Sequence, residues 1–287
     1  MDIADIPVRV VGPGTQSGSE DEGPSYIDMP HEMQQYDAPI IPGPDEVQHL
    51  AVASEAMAWL TEALAAYQTD QPPQIADLNH IDNESRKLIN QILGEGEVSI
   101  TYNGTPRAHV QESVLAGVWR TLYFDDDGKV AIDLLEVADV PHIVFADRDH
   151  EPSIDLSENA DSENMPNALP VLVELDDHCR NFELNGNAQS INLTLMPLSQ
   201  AELEFIDERL GRGPVDILSR AYGKCQVIST RNRHVWWVRY YNAMGTLILN
   251  SLEVTNVPMV VAAASEDISD SANRLEEILL PYWPKTA

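Results

Sequence analysis

The sequence predicts an α+β protein made of an internally duplicated unit (helix, strand, helix, antiparallel meander), with an added C-terminal helix and a disordered acidic N-terminal tail. Segments of helical and strand periodicity follow one another in the same order in both halves of the chain. The halves also match at a constant spacing of 117 positions. Residues 1–45 fit neither pattern, because glycine and proline interrupt them and acidic residues outnumber the single Arg9.

The first unit begins at residues 46–67, where leucine and methionine recur at helical spacing. A short strand at 75–78 precedes a helix that Asp82 caps at its N-terminus and Gly94 ends. Over residues 98–141 the period shortens to two, which predicts an antiparallel meander.

The second unit repeats this order of elements. A helix at 167–182 and a strand at 190–193 lead to a helix that begins at Ser199, with Glu202 placed to complete a capping box. A second meander follows this helix. The chain then adds a last helix at 268–280, which has no counterpart in the first unit.

One ungapped register relates the two meanders. The matched segments are Leu93-Gly94 with Leu210-Gly211, Val118-Trp119 with Val235-Trp236, Gly128 with Gly245, and Val140-Pro141 with Val257-Pro258. We therefore divide the chain into a tail (1–45), a first unit (46–146), an acidic linker (147–166) and a second unit with the last helix (167–287). Periodicity leaves open whether the units share one sheet or pack separately.

Two Gly-x-Gly pairs, Gly94 with Gly96 and Gly211 with Gly213, are predicted to be structural turns. A phosphate-binding loop places its glycines after a strand and before a helix, whereas each of these pairs follows a helix and precedes a strand. We therefore expect left-handed helix ends and tight turns at these positions.

The composition of the chain argues against several classes of protein. Forty-seven acidic and seventeen basic residues give a formal net charge of −30, the wrong sign for a protein that binds nucleic acid. Cys179 and Cys225 are too few for a disulfide framework or a four-thiolate metal site. No segment reaches the ~18 apolar residues of a membrane-spanning helix, and the start lacks the basic and apolar regions of an export signal. We expect a cytoplasmic protein without membrane insertion and without a cofactor.

Catalytic and metal-binding motifs give no positive signal. The sequence has no G-x-S-x-G elbow, and neither cysteine has a catalytic signature. The run Asp176-Asp177-His178-Cys179 gathers metal-ligand types, but successive helical residues point about 100° apart and need a distant partner to converge on one ion. We therefore predict neither enzymatic activity nor a metal site.

Residues 209–239 are basic, although the chain as a whole is acidic. Arginines and aromatic residues are interspersed in this stretch, and Asp216 is its single acidic residue. Arginine and aromatic side chains are favoured at interfaces, so this stretch is a candidate partner surface; the alternative is an aromatic core face with merely solvated arginines. Trp119 and Trp236 are predicted core residues, and Trp237 is predicted to point to the exposed side. The predicted contact residues are Arg231, Arg233, Trp237, Arg239 and Tyr241.

Several of these motifs resemble one known family, the hydrogenase expression and formation proteins called HupH, HyaF or HoxQ. The motifs are LGEGEVS at 93–99, LAGVWR at 115–120, NALP at 167–170, SINLT at 190–194, RHVW at 233–236, and GPGTQ at 12–16 in the tail. The likeness follows the chain in order over nearly its whole length and is weakest in the acidic linkers.

The resemblance implies a cytoplasmic, non-catalytic accessory protein in the maturation of an uptake nickel–iron hydrogenase. Its implied client is the hydrogenase small-subunit precursor, whose iron–sulfur clusters it would protect or help assemble before export, alongside a companion thioredoxin-like chaperone. One alternative is a metal or iron–sulfur carrier that uses Cys179, Cys225 and histidines. Another is an enzyme that acts on the hydrogenase or its cofactor.

Overall fold

The computed structural model of the protein describes residues 43, 47, 49–69, 71–146, 154–156, 165–220 and 223–283. The predicted tail lies outside the described residues apart from Gly43, and so does the predicted linker apart from 154–156 and 165–166. The helices are α1 (Ala51–Ala66), α2 (Asn83–Leu93), α3 (Ala168–Asn185), α4 (Gln200–Leu210) and α5 (Ser265–Leu279), with 3₁₀ turns at His142–Phe145 and Leu193–Leu195.

Side-chain caps start two of the helices at the residues that the sequence predicts. The Asp82 carboxylate accepts hydrogen bonds from the backbone amides of Glu84 and Ser85 at the start of α2. At the start of α4, Ser199 and Glu202 form the reciprocal capping box. These contacts satisfy amides that have no partner within the first turn, so they fix where each helix begins.

Glycines end the same two helices and then let neighbouring backbone come close. Gly94 ends α2 at φ +57° and Gly211 ends α4 at φ +59°, in the left-handed region that glycine tolerates best. Two residues further on, Gly96 and Gly213 face backbone oxygens so closely that a Cβ at either position would lie within 2.6 Å of one. Each pair thus forms a tight turn from helix to strand.

The described strands form one antiparallel sheet of ten. They are β1 (Gln74–Asp77), β2 (Val98–Tyr102), β3 (Arg107–Glu112), β4 (Val118–Phe124), β5 (Val130–Val137), β6 (Gln189–Asn192), β7 (Arg212–Ser219), β8 (Lys224–Thr230), β9 (Val235–Tyr241) and β10 (Leu247–Val254). Their order across the sheet is β1-β5-β4-β3-β2-β7-β8-β9-β10-β6. From either edge to the middle, the five strands of each half follow the same order.

The two halves of the sheet meet at β2 and β7, where Ile100 lies directly opposite Ile217. These residues are 117 positions apart, which is the spacing found between the two units of the sequence. The antiparallel pairing continues for two residues on either side of them. A local twofold axis perpendicular to the sheet therefore passes between Ile100 and Ile217, and matched residues of the two halves point to the same face.

Two clusters of buried side chains hold the helices on the sheet. The larger cluster joins α1, α2 and α5 to the sheet, and the smaller joins α3 and α4 to β6 and to β8–β10. Trp119 and Trp236 lie in the larger cluster, as predicted for core residues. Their indole N–H groups donate to the matched carbonyl oxygens of Ala138 and Thr255, at 2.8 Å and 3.2 Å. The C-terminal helix α5 packs on α1, so the last element of the chain completes the core of its first half.

We predict that Gly96→Ala destabilises the fold by about 2–3 kcal/mol, because overpacking at a tight contact forces the backbone to shift. A Cβ at this position would lie 2.2 Å from the carbonyl oxygen of Ser113. Urea unfolding would measure the loss, with Gly43→Ala as the control because nothing lies within 4 Å of a Cβ there. Equal stability of the two variants would contradict the close approach.

Candidate interaction surface

The predicted contact residues lie on β9 and the turn before it, but at two separate ends. Arg231 and Arg233 are exposed in the turn between β8 and β9, whereas Arg239 and Tyr241 are half-buried near the far end of β9. Extended strand geometry puts the two ends of β9, residues 235 and 241, about 20 Å apart. The structure therefore does not bring these residues together as one compact site.

The prediction that Trp237 points to an exposed side is wrong. Its side chain is 3% exposed and belongs to the core that α3 and α4 form on the sheet. The indole N–H donates to Asn250 Oδ1 at 2.5 Å. Trp236 points to the opposite face, as strand alternation requires, and is also buried because the larger core cluster covers that face. Alternation separates the two tryptophans but does not reveal that both faces of β9 are covered.

The first half of the sheet fills the matched positions with charges. Trp237 and Asn250 correspond, at the spacing of 117, to Arg120 and Asp133. Arg120 donates to both oxygens of Asp133 at 2.7 Å, and Arg86 of α2 donates to the same carboxylate at 2.5 Å. The Asp133 side chain is 1% exposed. A buried ion cluster therefore anchors α2 where the second half uses an aromatic ring and an amide.

Two rows of directly opposed residues cross the sheet on the face that carries these anchors, since opposed residues of paired strands point the same way. One row contains Arg120, Gln111, Ser99, Leu218, Gln226 and Arg239, and the other contains Leu122, His109, Thr101, Asp216, Ile228 and Trp237. The local twofold axis exchanges the rows. Both therefore belong to the face on which α2, α3 and α4 pack.

The helices cover the flanks of this face and leave its centre open. At one flank α3 contacts β6 and β10, and at the other the Arg86–Asp133 ion pair ties α2 to β5. On the central strands β2, β3 and β7, residues of this face are exposed or half-buried while alternate residues are mostly buried. We call this surface the open face; it consists of Ser99, Thr101, His109, Gln111, Asp216, Leu218 and Gln226. It is a broad polar surface rather than an enclosed cleft.

Exposed cations border the open face at matched positions. Arg107 on β3 and Lys224 on β8 are 117 positions apart. Each begins a row that passes to an aromatic and then to an aliphatic residue on the next two strands. The rows are Arg107, Phe124 and Val130 in one half, and Lys224, Tyr241 and Leu247 in the other. Lys224 Nζ lies 5.8 Å from the centre of the Tyr241 ring, a cation–π arrangement.

A third cation stacks on the buried tryptophan. The Arg239 guanidinium lies 4.5 Å from the centre of the Trp237 ring. Within the described part of the chain, Arg107, Lys224 and Arg239 form no ion pair. Asp216, the carboxylate of the open face, accepts hydrogen bonds from Gln226 at 3.1 Å and 3.2 Å. Positive charge therefore exceeds negative charge at the corner that holds Lys224 and Arg239, whereas the Arg107 corner lies next to the exposed acidic turn Asp125–Asp127.

The opposite face of the sheet holds a polar chain in the first half. Thr121 donates to Glu136 at 2.5 Å, and His142 Nδ1 lies 2.7 Å from the other carboxylate oxygen. Tyr123 Oη lies 3.0 Å from His142 Nε2. The hydrogen bond to Glu136 raises the pKa of His142, and burial raises the pKa of Tyr123 to about 12. The Tyr123 phenol therefore stays protonated and is not an activated nucleophile.

Both cysteines are buried as thiols. Burial raises the pKa of Cys179 to about 12 and the pKa of Cys225 to about 11, which disfavours the thiolate needed for nucleophilic attack or metal binding. They lie in different core clusters. In the part of the chain that the structure describes, no group of three or more His, Cys, Asp or Glu side chains is placed to hold a metal ion. No described helix has the length and apolarity to cross a membrane.

Fold and site together define an α+β protein in which one continuous sheet presents a polar surface bordered by cations and aromatic rings. The chain belongs to the HupH family of hydrogenase expression proteins. The family model for the C-terminal conserved region of the HupH hydrogenase expression protein matches residues 50–159 and again residues 165–281. The first match contains β1–β5 and the second contains β6–β10.

Similarity to individual members extends over almost the whole chain. The chain is 37% identical to the hydrogenase expression/formation protein HoxQ of Cupriavidus necator, with 97% of this chain and 98% of that protein covered. It is 40% identical to HoxQ of Azotobacter vinelandii, with 96% and 97% covered. It is 31% identical to the hydrogenase-1 operon protein HyaF of Escherichia coli, with 94% of each covered. The resemblance seen in the sequence motifs is confirmed, and the protein is an accessory factor of hydrogenase formation.

A solved structure of the hydrogenase expression protein HupH from Thiobacillus denitrificans is also similar. It is 30% identical, covers 39% of this chain and 94% of its own, and superposes with a TM-score of 0.38.

We predict that Asp133→Ala lowers the free energy of unfolding by about 3–5 kcal/mol, because it leaves Arg86 and Arg120 without their buried acceptor. Denaturant unfolding would measure the loss. Asp126→Ala, in the exposed turn between β4 and β5, is the matched control and should change stability by less than about 0.5 kcal/mol. Similar stabilities for the two variants would contradict an anchoring role for the ion cluster.

Glu112 should make stability depend on pH. Its carboxylate accepts a hydrogen bond from the Val98 amide at 3.2 Å, and burial raises its pKa from 4.5 to about 7. Because the folded protein holds this proton more tightly than the unfolded chain, the stabilisation is complete below pH 4.5 and is lost as the pH rises through about 7.

We predict that Glu112→Gln, which keeps an acceptor oxygen without the charge, raises the melting temperature by about 2–4 °C at pH 8 and changes it little at pH 4.5. Thermal unfolding at the two pH values would measure the difference. Glu55→Gln, at an exposed residue of α1, is the control. An equal effect of Glu112→Gln at both pH values would contradict the raised pKa.

Proposed function

We propose that this protein is a non-catalytic chaperone that binds the immature small subunit of an uptake nickel–iron hydrogenase and assists or protects its iron–sulfur clusters before export. Membership of the hydrogenase expression and formation family carries the proposal. It is supported by the sheet surface described above, which offers polar and charged groups for recognition. The described thiols, by contrast, are buried and protonated.

The proposed partners are the small-subunit precursor and a companion thioredoxin-like chaperone, and the proposed compartment is the cytoplasm, where the precursor is made. Nucleic acid is not a proposed partner, because a net charge of −30 repels phosphate backbones. We retain Arg231, Arg233, Arg239 and Tyr241 as proposed contact residues. The buried Trp237 ring packs against the Arg239 guanidinium and so positions that proposed contact residue.

We further propose that the chain arose by internal duplication, with a tail at 1–45, units at 46–146 and 167–287, and a linker at 147–166. The identical strand order of the two halves, the two family-model matches and the opposition of Ile100 and Ile217 support this organisation. Duplication of a dimer-forming unit would produce such a twofold arrangement within one chain.

The alternative of a metal or iron–sulfur carrier would require Cys179 and Cys225 to act as thiolates. Their burial in separate clusters, with raised thiol pKa values, gives that alternative no support among the described residues. We therefore propose the chaperone function rather than the carrier function.

We predict that the tagged protein, purified anaerobically from cells that make the uptake hydrogenase, captures the small-subunit precursor and not the exported mature subunit. Mass spectrometry would identify the partner, and elemental analysis of the isolated chain should find no stoichiometric iron, nickel or zinc. The tag alone is the control. Metal retained by the isolated chain would favour the carrier, and absence of both precursor and metal would contradict the proposed role.

A further inference from the structure

We propose that the open face is the docking surface for an acidic, extended segment of a partner polypeptide. This inference rests on the proposed function and deepens it, because it names the surface and the chemistry of the segment that the surface binds.

At the corner that holds Lys224 and Arg239, the charge of this surface is opposite to that of the chain as a whole. Arg107, Lys224 and Arg239 place three positive charges on or beside the open face, against the carboxylate of Asp216 within it and the exposed turn Asp125–Asp127 beside its Arg107 corner. The whole chain has 47 acidic and 17 basic residues. An acidic segment is therefore repelled by the average surface of this protein and attracted to the open face, which gives both orientation and a faster encounter.

The two matched cations lie at diagonally opposite corners of the open face. β3 and β8 are three strand spacings apart, or about 14 Å. The local twofold axis places Arg107 and Lys224 at opposite ends of these strands. An extended segment that crosses the face diagonally meets one cation at each end. Phe124 and Tyr241 lie opposite these cations in the sheet register and add an aromatic contact at each corner.

The floor between the corners suits a polypeptide main chain. Ser99 and Thr101 have short side chains, so a segment can approach the sheet closely. The exposed His109 ring can hydrogen-bond to peptide groups, and Gln226, whose amide nitrogen donates to Asp216, can accept through its amide oxygen. The helices on the flanks restrict the segment to the central strands, since α3 contacts β6 and β10 at one flank and the Arg86–Asp133 ion pair ties α2 to β5 at the other. Charge at the corners and hydrogen bonding between them thus act on the same ligand.

The test measures binding of the full-length protein to the hydrogenase small-subunit precursor at low and high salt. Lys224→Glu and Arg107→Glu should each weaken binding by about fivefold at low salt and less at high salt, as expected for exposed charges. Arg274→Glu makes the same charge change on the exposed side of α5 and should stay within about twofold of the wild type.

A second readout locates the contact directly. In the variant Thr101→Cys, the introduced thiol is exposed, whereas Cys179 and Cys225 are buried, so a maleimide should label the new position selectively. Bound precursor should protect this thiol from labelling. A precursor that binds all the charge variants equally and leaves the labelling rate of the thiol unchanged would contradict the open face as the docking surface. The proposed function would still stand after that result.

If the precursor does not bind the wild-type protein, a fluorescent peptide of ten glutamates replaces it as the probe. Peptide binding that Lys224→Glu and Arg107→Glu weaken, and that Arg274→Glu does not, would support the open face and contradict the proposed client. Failure of the peptide to bind as well would overturn the docking surface together with the proposed function.

Discussion

The antiparallel pairing of β2 with β7 is the interaction on which the rest of the structure depends. Ile100 and Ile217, both fully buried, lie opposite each other and join two five-stranded halves into one continuous sheet. Without this pairing each half would expose an unpaired strand edge at its centre. The outermost strands are instead β1 and β6, which have four residues each and offer little edge for further pairing. The same pairing creates the local twofold axis and hence the open face.

The two halves of the sheet place their arginine differently, at the matched position itself in the first half and two positions later in the second. In the first half the cation Arg120 is held beneath α2 by Asp133, and Leu122 follows it two positions later on the same face. In the second half the matched inner position is Trp237, and the cation Arg239 lies above its ring. Burial of an ion pair costs desolvation that burial of an aromatic ring avoids. In the second half the arginine is half-buried and stacks on the ring instead.

This arrangement agrees with the chaperone function that we propose. The chain carries a net charge of −30, whereas exposed cations border the open face, and such a contrast favours a complementary acidic partner. The groups best suited to covalent chemistry, two thiols and a tyrosine, are held protonated by burial. Membership of the hydrogenase expression and formation family directs the search for the partner to the maturing hydrogenase, and the structure supplies the surface on which to look for the contact.

The sequence by itself determined the local structure, because the signals are local. Asp82 and the Ser199–Glu202 pair fix helix starts through their own neighbouring amides, and Gly94 fixes a helix end through its backbone freedom. The spacing of 117 positions and the family motifs are likewise present in the chain itself. Tertiary structure alone decided that Trp237 is buried and that the open face exists. Both depend on which distant helices and strands pack together, and alternation along one strand carries no information about what covers either face.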